Sequence, residues 1–186
     1  MPAEHAILGL LAESDPGAHG YDLARHFAPE EPLGAIVRLE PGMLYHHLKK
    51  LDKAGWVSAT VEQQGVRPPR QVYQLTPQGR DELNRWLGDP VGRTREIRLE
   101  FLVKLFFVQR LHPDLAGALV AHQRETLERN LTSLKAQQQS MAAGGDSDDR
   151  DRAFSIHVLE LRMAQTEAAL VWLDNLLAGE PRREAE

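Results

Sequence analysis

Apolar residues recur along this chain at two periods, and the order in which the periods change predicts most of its elements. Over residues 3–13, Ile7, Leu10 and Leu11 fall at helical spacing, and a turn-rich SDPGAHG follows. GYDLARHFA, 20–28, repeats the helical pattern through Tyr21, Leu23, Ala24 and Phe27. PEEPLGAIVRLEPG breaks it, and AIVRL within that run predicts a short strand. Pro41 suits the first position of a helix, where its missing N–H would be unpaired anyway. From there to Ala54, Leu44, Leu48 and Leu51 form one apolar stripe. Tyr45, His46, Lys49 and Lys53 lie on the other side, with Lys50 at its edge, and Gly55 is a natural stop. WVSATVEQ (56–63) and RQVYQL (70–75) are β-prone, and the intervening QGVRPP suits a hairpin tip. Thr76 and Pro77 then open a helix over 77–87 with Leu83, Trp86 and Leu87 on its apolar side.

The breaker cluster GDPVGR, 88–93, marks the expected domain boundary, and everything beyond it reads as helix. IRLEFLVKLFFVQRL, 97–111, is apolar nearly all round and is expected to be buried on more than one side. Residues 114–141 carry Val120, Leu127, Leu131 and Leu134 on one seam, and AAGGDSDDRDR reads as a flexible charged loop. In the last helix, 153–178, Ile156, Leu159, Met163, Thr166, Leu170, Leu173 and Leu177 alternate spacings of three and four, a coiled-coil-like seam. The expected organisation is a first domain over 1–90, a helical domain over 91–180 and a disordered tail over 181–186.

Composition narrows the classes of function. The chain of 186 residues, 42% hydrophobic, can build one sizeable core or a small domain with a helical extension. No apolar run approaches the ~20 residues that span a bilayer, and the N-terminus lacks the basic flank of a signal peptide, so a cytoplasmic protein is expected. The absence of cysteine removes disulfides, thiolate catalysis and Cys-ligated metals together. The eight histidines show no metal spacing. Asp146, Asp148, Asp149 and Asp151 lack the glycine and terminal Glu of a calcium loop. There is no phosphate-cradling glycine loop and no GxSxG, so neither an enzyme nor a cofactor is expected. Net charge is −5, yet between Arg38 and Arg80 seven basic residues face three acidic ones. A basic island on an acidic body can hold a phosphate backbone, or be a solvated face.

The order helix, helix, helix, hairpin, helix is a winged helix-turn-helix layout. The third helix needs one apolar face to seat on the domain and a polar, basic and aromatic face to enter a major groove about 12 Å wide. The stretch Leu44–Lys53 meets both demands, and Arg67 and Arg70 stand at the tip of the hairpin. The fold class is thus mainly α with a small β-hairpin wing: an N-terminal winged helix-turn-helix and a C-terminal antiparallel helical dimerisation domain.

HAILGLLAE, GYDLARHF, EPGMLYHHLKKLDKAGWV and RQVYQLTPQG together resemble the PadR family of regulators, whose members show a "tLYraLkrLeeeGli" recognition helix and a "YxLTxxG" segment after the wing. The resemblance covers the first half of the chain. It implies a ligand-responsive, dimeric transcriptional repressor on a pseudo-palindromic operator, with double-stranded DNA, a second copy of the chain and a small-molecule effector as partners. Met43 departs from the pattern, because a Ser or Thr is common there and its hydroxyl could bond a phosphate. Gly42 still lets a backbone N–H approach one. The DNA-binding candidates are Gly42, Tyr45, His46, Lys49, Lys50, Lys53, Arg67 and Arg70. The dimerisation candidates are Leu102, Phe106, Leu159, Met163, Leu170, Leu173 and Leu177, and the effector candidates are Phe101 and Trp172. Trp172 also reads as a structural tryptophan at the dimer interface, the placement preferred. His47 is expected beside the core. A protein-interaction adaptor on a winged-helix scaffold is the competing reading.

Overall fold

The computed structural model of the chain describes residues 2–14, 16–63, 70–143 and 149–179. Arg67, the QGVRPP tip, residues 144–148 of the charged loop before the last helix and the tail 181–186 lie outside the described residues. The elements are α1 (Pro2–Glu13), β1 (Ala18–His19), α2 (Gly20–Arg25), α3 (Pro32–Ile36), α4 (Pro41–Lys53), β2 (Val57–Glu62), β3 (Arg70–Leu75) and α5 (Pro77–Gly88). There follow α6 (Thr94–Glu96), a π-helical turn (Ile97–Phe101), α7 (Leu102–Leu111), α8 (Ala116–Ala143) and α9 (Asp149–Gly179). They form two compact units, the first Met1–Asp89 with Leu99–Asp114, the second Pro90–Arg98 with Leu115–Glu186.

In the first unit, α1 is the central helix, and Ala6, Ile7, Leu8, Leu10 and Leu11 are all buried. Leu44, Leu48 and Leu51 of α4 and Leu83, Trp86 and Leu87 of α5 complete this core with Leu23, Leu33 and Val57. β3 is the middle strand of an antiparallel sheet of order β1-β3-β2, with Val57 opposite Leu75 and Glu62 opposite Arg70. The sequence pattern does not announce β1, which is only two residues long. The strand expected at AIVRL is instead α3 followed by an extended Val37. Pro32 starts that helix at its first turn, and the extended backbone after it pairs with no strand among the described residues. Gly55 ends α4 at φ +75, the left-handed conformation that a glycine adopts without strain. Thr76 caps α5, its hydroxyl oxygen accepting from Gly79 N at 3.0 Å.

Residues 99–114, which the sequence groups with the C-terminal helices, belong by their packing to the first unit. The Phe107 ring of α7 lies so close to Gly9 that a Cβ there would meet it at 2.6 Å. Lys104, though charged, is almost completely buried. Its Nζ donates to the carbonyls of Trp86 and Asp89 at the end of α5, and it sits 4.3 Å from the centre of the Trp86 ring. Terminal carbonyls of a helix have no partner within it, so this ammonium acts as a cap delivered from another element. On the same indole, His5 stacks at 4.3 Å and Glu100 accepts from Nε1 at 3.0 Å.

In the second unit, α8 and α9 pack along a seam of Ala116, Val120, Leu127 and Leu134 against Leu159, Thr166 and Leu173. The buried positions of α9 repeat every seven residues, with Met163, Leu170 and Leu177 half-buried beside them. The described ends of α8 and α9 reach into the stretch read as a charged loop. The segment Pro90–Arg98 is held to this pair by side chains that stand in for a neighbouring strand. Gln123, fully buried, accepts from Val91 N at 2.7 Å and donates to Val91 O at 3.0 Å.

Burial pulls the pKa of Lys104 down to about 8, so the folded chain releases this proton before the unfolded one does. The penalty for keeping the ammonium buried is therefore full below pH 8 and relieved as pH rises towards the unfolded value of 10.5. Urea unfolding across this range should show the wild type gaining stability relative to Lys104→Met. A constant difference between the two would contradict the linkage.

Candidate nucleic-acid interface

The two faces of α4 divide as its sequence pattern requires. Leu44, His47, Leu48 and Leu51 are buried, while Gly42, Met43, Tyr45, His46, Lys49, Lys50 and Lys53 are exposed. The helix is fixed beneath by a buried carboxylate on α1. Glu4 Oε1 lies 3.3 Å from His47 Nδ1 and accepts from Lys50 Nζ at 2.6 Å. Burial raises the pKa of Glu4, but the hydrogen bonds from Lys50 and His47 and the Lys50 charge outweigh it and hold the carboxyl below its ordinary value. His47 is thus beside the core as expected.

Lys50 differs from its neighbours. Its ammonium is committed to Glu4, whereas Lys49 and Lys53 have no ion-pair partner among the described residues. Lys49 and Lys53 are the two helix lysines with an unengaged charge, and Lys50 joins the positioning of the helix. His46 points outward from the same surface, with its ring edge-on to His47 at 5.9 Å.

Tyr45 is half exposed and rests on the backbone of α2. A Cβ at Gly20 would meet its Cε1 at 2.6 Å, so only a glycine leaves room for the ring. The first turn of α4 is equally open. The N-cap Glu40 makes no side-chain cap bond, and a Cβ at Gly42 would meet nothing within 4 Å. The first-turn N–H groups of Gly42 and Met43 therefore face outward at the positive end of a helix 13 residues long. Met43 is exposed, and its side chain offers no hydroxyl to complement them.

Beside α4 lies a hollow of about 860 Å³, lined in part by His19, Tyr21, Tyr45, Val61 and Arg70. Arg70, at the start of β3, is the wing candidate within the described residues, and it too has no ion-pair partner among them. His19 Nδ1 donates to Gln71 O at 3.2 Å, tying the start of α2 to the wing. Tyr21, 70% exposed, belongs to this surface although the helical pattern reads it as apolar. Its signal was its place: an aromatic one residue after a helix-starting glycine, on the turn that faces α4.

The remaining candidates fall elsewhere. Phe101 is fully buried in the first unit and is spent as core. Trp172 is half-buried on α9. Leu102 and Phe106 are half-buried on α7, and Arg110 lies over the Phe106 ring at 3.5 Å. Leu159 and Leu173 are buried within the second unit, so this part of the expected dimer seam is already consumed inside one subunit.

A helix with one face seated and the other bare and basic, flanked by a two-stranded wing, defines a winged helix-turn-helix regulator. Residues 7–85 match the Transcriptional regulator PadR-like family, and residues 97–179 match the Virulence activator alpha C-term family. The Negative transcriptional regulator PadR of Bacillus subtilis is 28% identical over 179 residues, covering 94% of this chain and 95% of that protein. A Mycobacterium tuberculosis protein described as "Probable transcriptional regulator Rv1176c" is 36% identical over 95 residues, about half of each chain. The crystal structure of Bacillus subtilis PadR in complex with operator DNA shares 26% identity and a TM-score of 0.45, covering 94% of this chain and 96% of that one. The chain is thus similar to PadR-like transcriptional regulators, most specifically over residues 7–85. This similarity supports regulation over the adaptor reading. No helix among the described residues is long and apolar enough to cross a membrane.

Replacing Glu4 by Gln should lower stability at neutral pH by about 1–3 kcal/mol, the scale of a charged hydrogen bond. The native carboxyl titrates below the unfolded value of 4.5, so its contribution is present above that pH and is lost as pH falls through the folded pKa. Thermal melts of wild type and Glu4→Gln should converge in acid. A gap that widens in acid would contradict the assignment.

Proposed function

We propose that the protein represses transcription as a homodimer, with α4 of each subunit in a major groove and the wing against the adjacent backbone. The observation that carries this reading is the outward face of α4, where Tyr45, His46, Lys49 and Lys53 stand clear of the core while Glu4 and the leucine stripe fix the helix from behind. The first-turn N–H groups at Gly42 and Met43 supply a phosphate contact that needs no side chain. Arg70 supports the wing contact, and Arg67 is proposed with it on sequence alone. The reading is of binding rather than catalysis. The similarity to a negative regulator favours repression over activation.

For the dimer, the exposed side of α9 supports a surface other than the expected seam. One side of α9 is spent on α8, but Phe154, Val158, Leu161 and Ala168 recur at near-heptad spacing on the other side and are exposed. Phe154 and Leu161 are 70% and 60% exposed, a heavy apolar surface for a helix that otherwise carries charges. A second copy brings an identical stripe, and a twofold pairing of such stripes is self-complementary. A dimer of winged helices of this kind reads half-sites about 34 Å apart, one turn of the DNA helix. Met163, Leu170 and Leu177 flank the inner seam, and Leu102 and Phe106 remain proposed contacts from α7. Trp172 falls in register with the outer stripe, which favours the interface over an effector pocket for it.

Two measurements test the proposal. In a DNA titration with the protein's own upstream region, Lys49→Ala should weaken binding and reduce the log–log salt slope by about one unit. Lys50→Ala should change the slope less, because its charge is already paired. Equal slopes for wild type and Lys49→Ala would remove Lys49 from the interface. In sedimentation experiments, Leu161→Glu should shift the dimer towards monomer, and an unchanged dimer would move the interface off this stripe.

A further inference from the structure

We infer that the second unit carries a binding site for a small polyanion, a phosphorylated or polycarboxylate metabolite, in the cavity between Thr94–Arg95, α8 and α9. Its consequence for repression rests on the function proposed above, but its existence does not. The cavity has a volume of about 580 Å³, within the range of roughly 300–1,000 Å³ usual for small-molecule sites. Arg93, Arg95 and Arg162 line it, and no Asp or Glu does.

The missing counter-charge is the informative feature. On the same two helices Arg124 is paired with Asp174 and Glu128 and Lys135 with Glu167, and Arg129, without an ion pair among the described residues, is spent on Thr126 Oγ1 and Glu125 O. Arg93, Arg95 and Arg162 have no ion-pair partner among the described residues. Arg162 could not find one along its own helix, because Val158, Leu159, Gln165 and Thr166 occupy the neighbouring turns. Three like charges drawn to one concavity on a chain of net charge −5 repel one another; the nearby Glu96 carboxylate accepts from Arg93 N at 3.0 Å and forms no ion pair with them among the described residues. An anion would offset this repulsion, and guanidinium groups grip phosphate or carboxylate in paired, directional hydrogen bonds.

The floor of the cavity is built rather than incidental. Thr166, buried, donates its hydroxyl to Arg162 O at 2.7 Å. That hydrogen being used, Thr94 must be the donor in the 2.8 Å bond between the two hydroxyls. Asn130 Nδ2 donates to Gly92 O at 2.8 Å. These bonds anchor the backbone that carries Arg93 and Arg95, so a ligand has only the arginine side chains left to order. Apart from Gly92 and Leu134 the rest of the lining is side-chain amide and hydroxyl, which suits a polar ligand and disfavours an aromatic one. Pro90–Arg98 is also the chain that connects α5 to α7 in the first unit, so a ligand gripping it engages the covalent link between the units.

The test is calorimetric titration of the full chain, free of DNA, with pyrophosphate and separately with citrate. At least one should bind, and the preferred one assigns the ligand to phosphate or carboxylate chemistry. The double substitution Arg93→Gln and Arg162→Gln should weaken that binding at least about tenfold. Arg124→Gln, removing a paired arginine elsewhere on the helices, should leave it unchanged, with circular dichroism confirming the fold of each variant. Failure of both probes to bind, or equal binding by the double variant, would overturn the site. If the double variant instead only lowers the salt slope of DNA binding, the arginines are backbone contacts and the proposal is equally lost. Because the titration contains no DNA, a negative result there leaves the repressor reading standing.

Discussion

A helix that is to read DNA must surrender one side to the protein and keep the other unclaimed. In α4 that division is set by three leucines and one carboxylate. The leucines seat the helix through burial, which has no preferred direction. Glu4 adds direction: a single oxygen engages both His47 and Lys50, one turn apart, and so fixes the rotation of the helix about its own axis. With that rotation set, Tyr45, Lys49 and Lys53 can be aimed only outward. The seat of Tyr45 over Gly20 and the bare first turn at Gly42 are further consequences of the same placement.

Polar groups elsewhere in the molecule serve as joints. Lys104 closes the end of α5 from α7, and Gln123 presents its amide to Val91 as a strand would. Both act on the same stretch of chain, from Trp86 to Val91, where regular structure stops and backbone groups lose their partners. Burying those groups unsatisfied would be costly, so the joints are hydrogen-bonded from long side chains on neighbouring helices. No buried side-chain nitrogen or oxygen among the described residues is left without a partner.

The sequence made local facts legible and pairings less so. Leu44, Leu48 and Leu51 showed which side of α4 is inside, and Thr76 with Pro77 showed where α5 begins. The heptad stripe of α9 was equally plain, yet periodicity says only that a stripe is covered, not by what. Here the cover is α8 of the same chain, so the stripe that the sequence suggested for a partner is used inside it. Lys50 and Lys49 are adjacent lysines on one helix, and nothing in their spacing reveals that Glu4, distant in sequence, claims one of them. Lys104 was hidden for a similar reason: a lone lysine in an apolar run reads as an exception until the carbonyls it reaches are known. AIVRL misled because β-branched residues favour extended backbone, but a strand also needs a neighbour.

The chain leaves the first unit at Pro90 and re-enters it at Leu99. A fragment stopping at the glycine- and proline-rich stretch after α5, where sequence alone would invite a cut, lacks α7. It would strip the aromatic cover from Gly9 and leave the final carbonyls of α5 without their ammonium. The compact unit that carries α4 is therefore discontinuous in sequence, and expressing it in isolation calls for rejoining the two segments rather than shortening the gene.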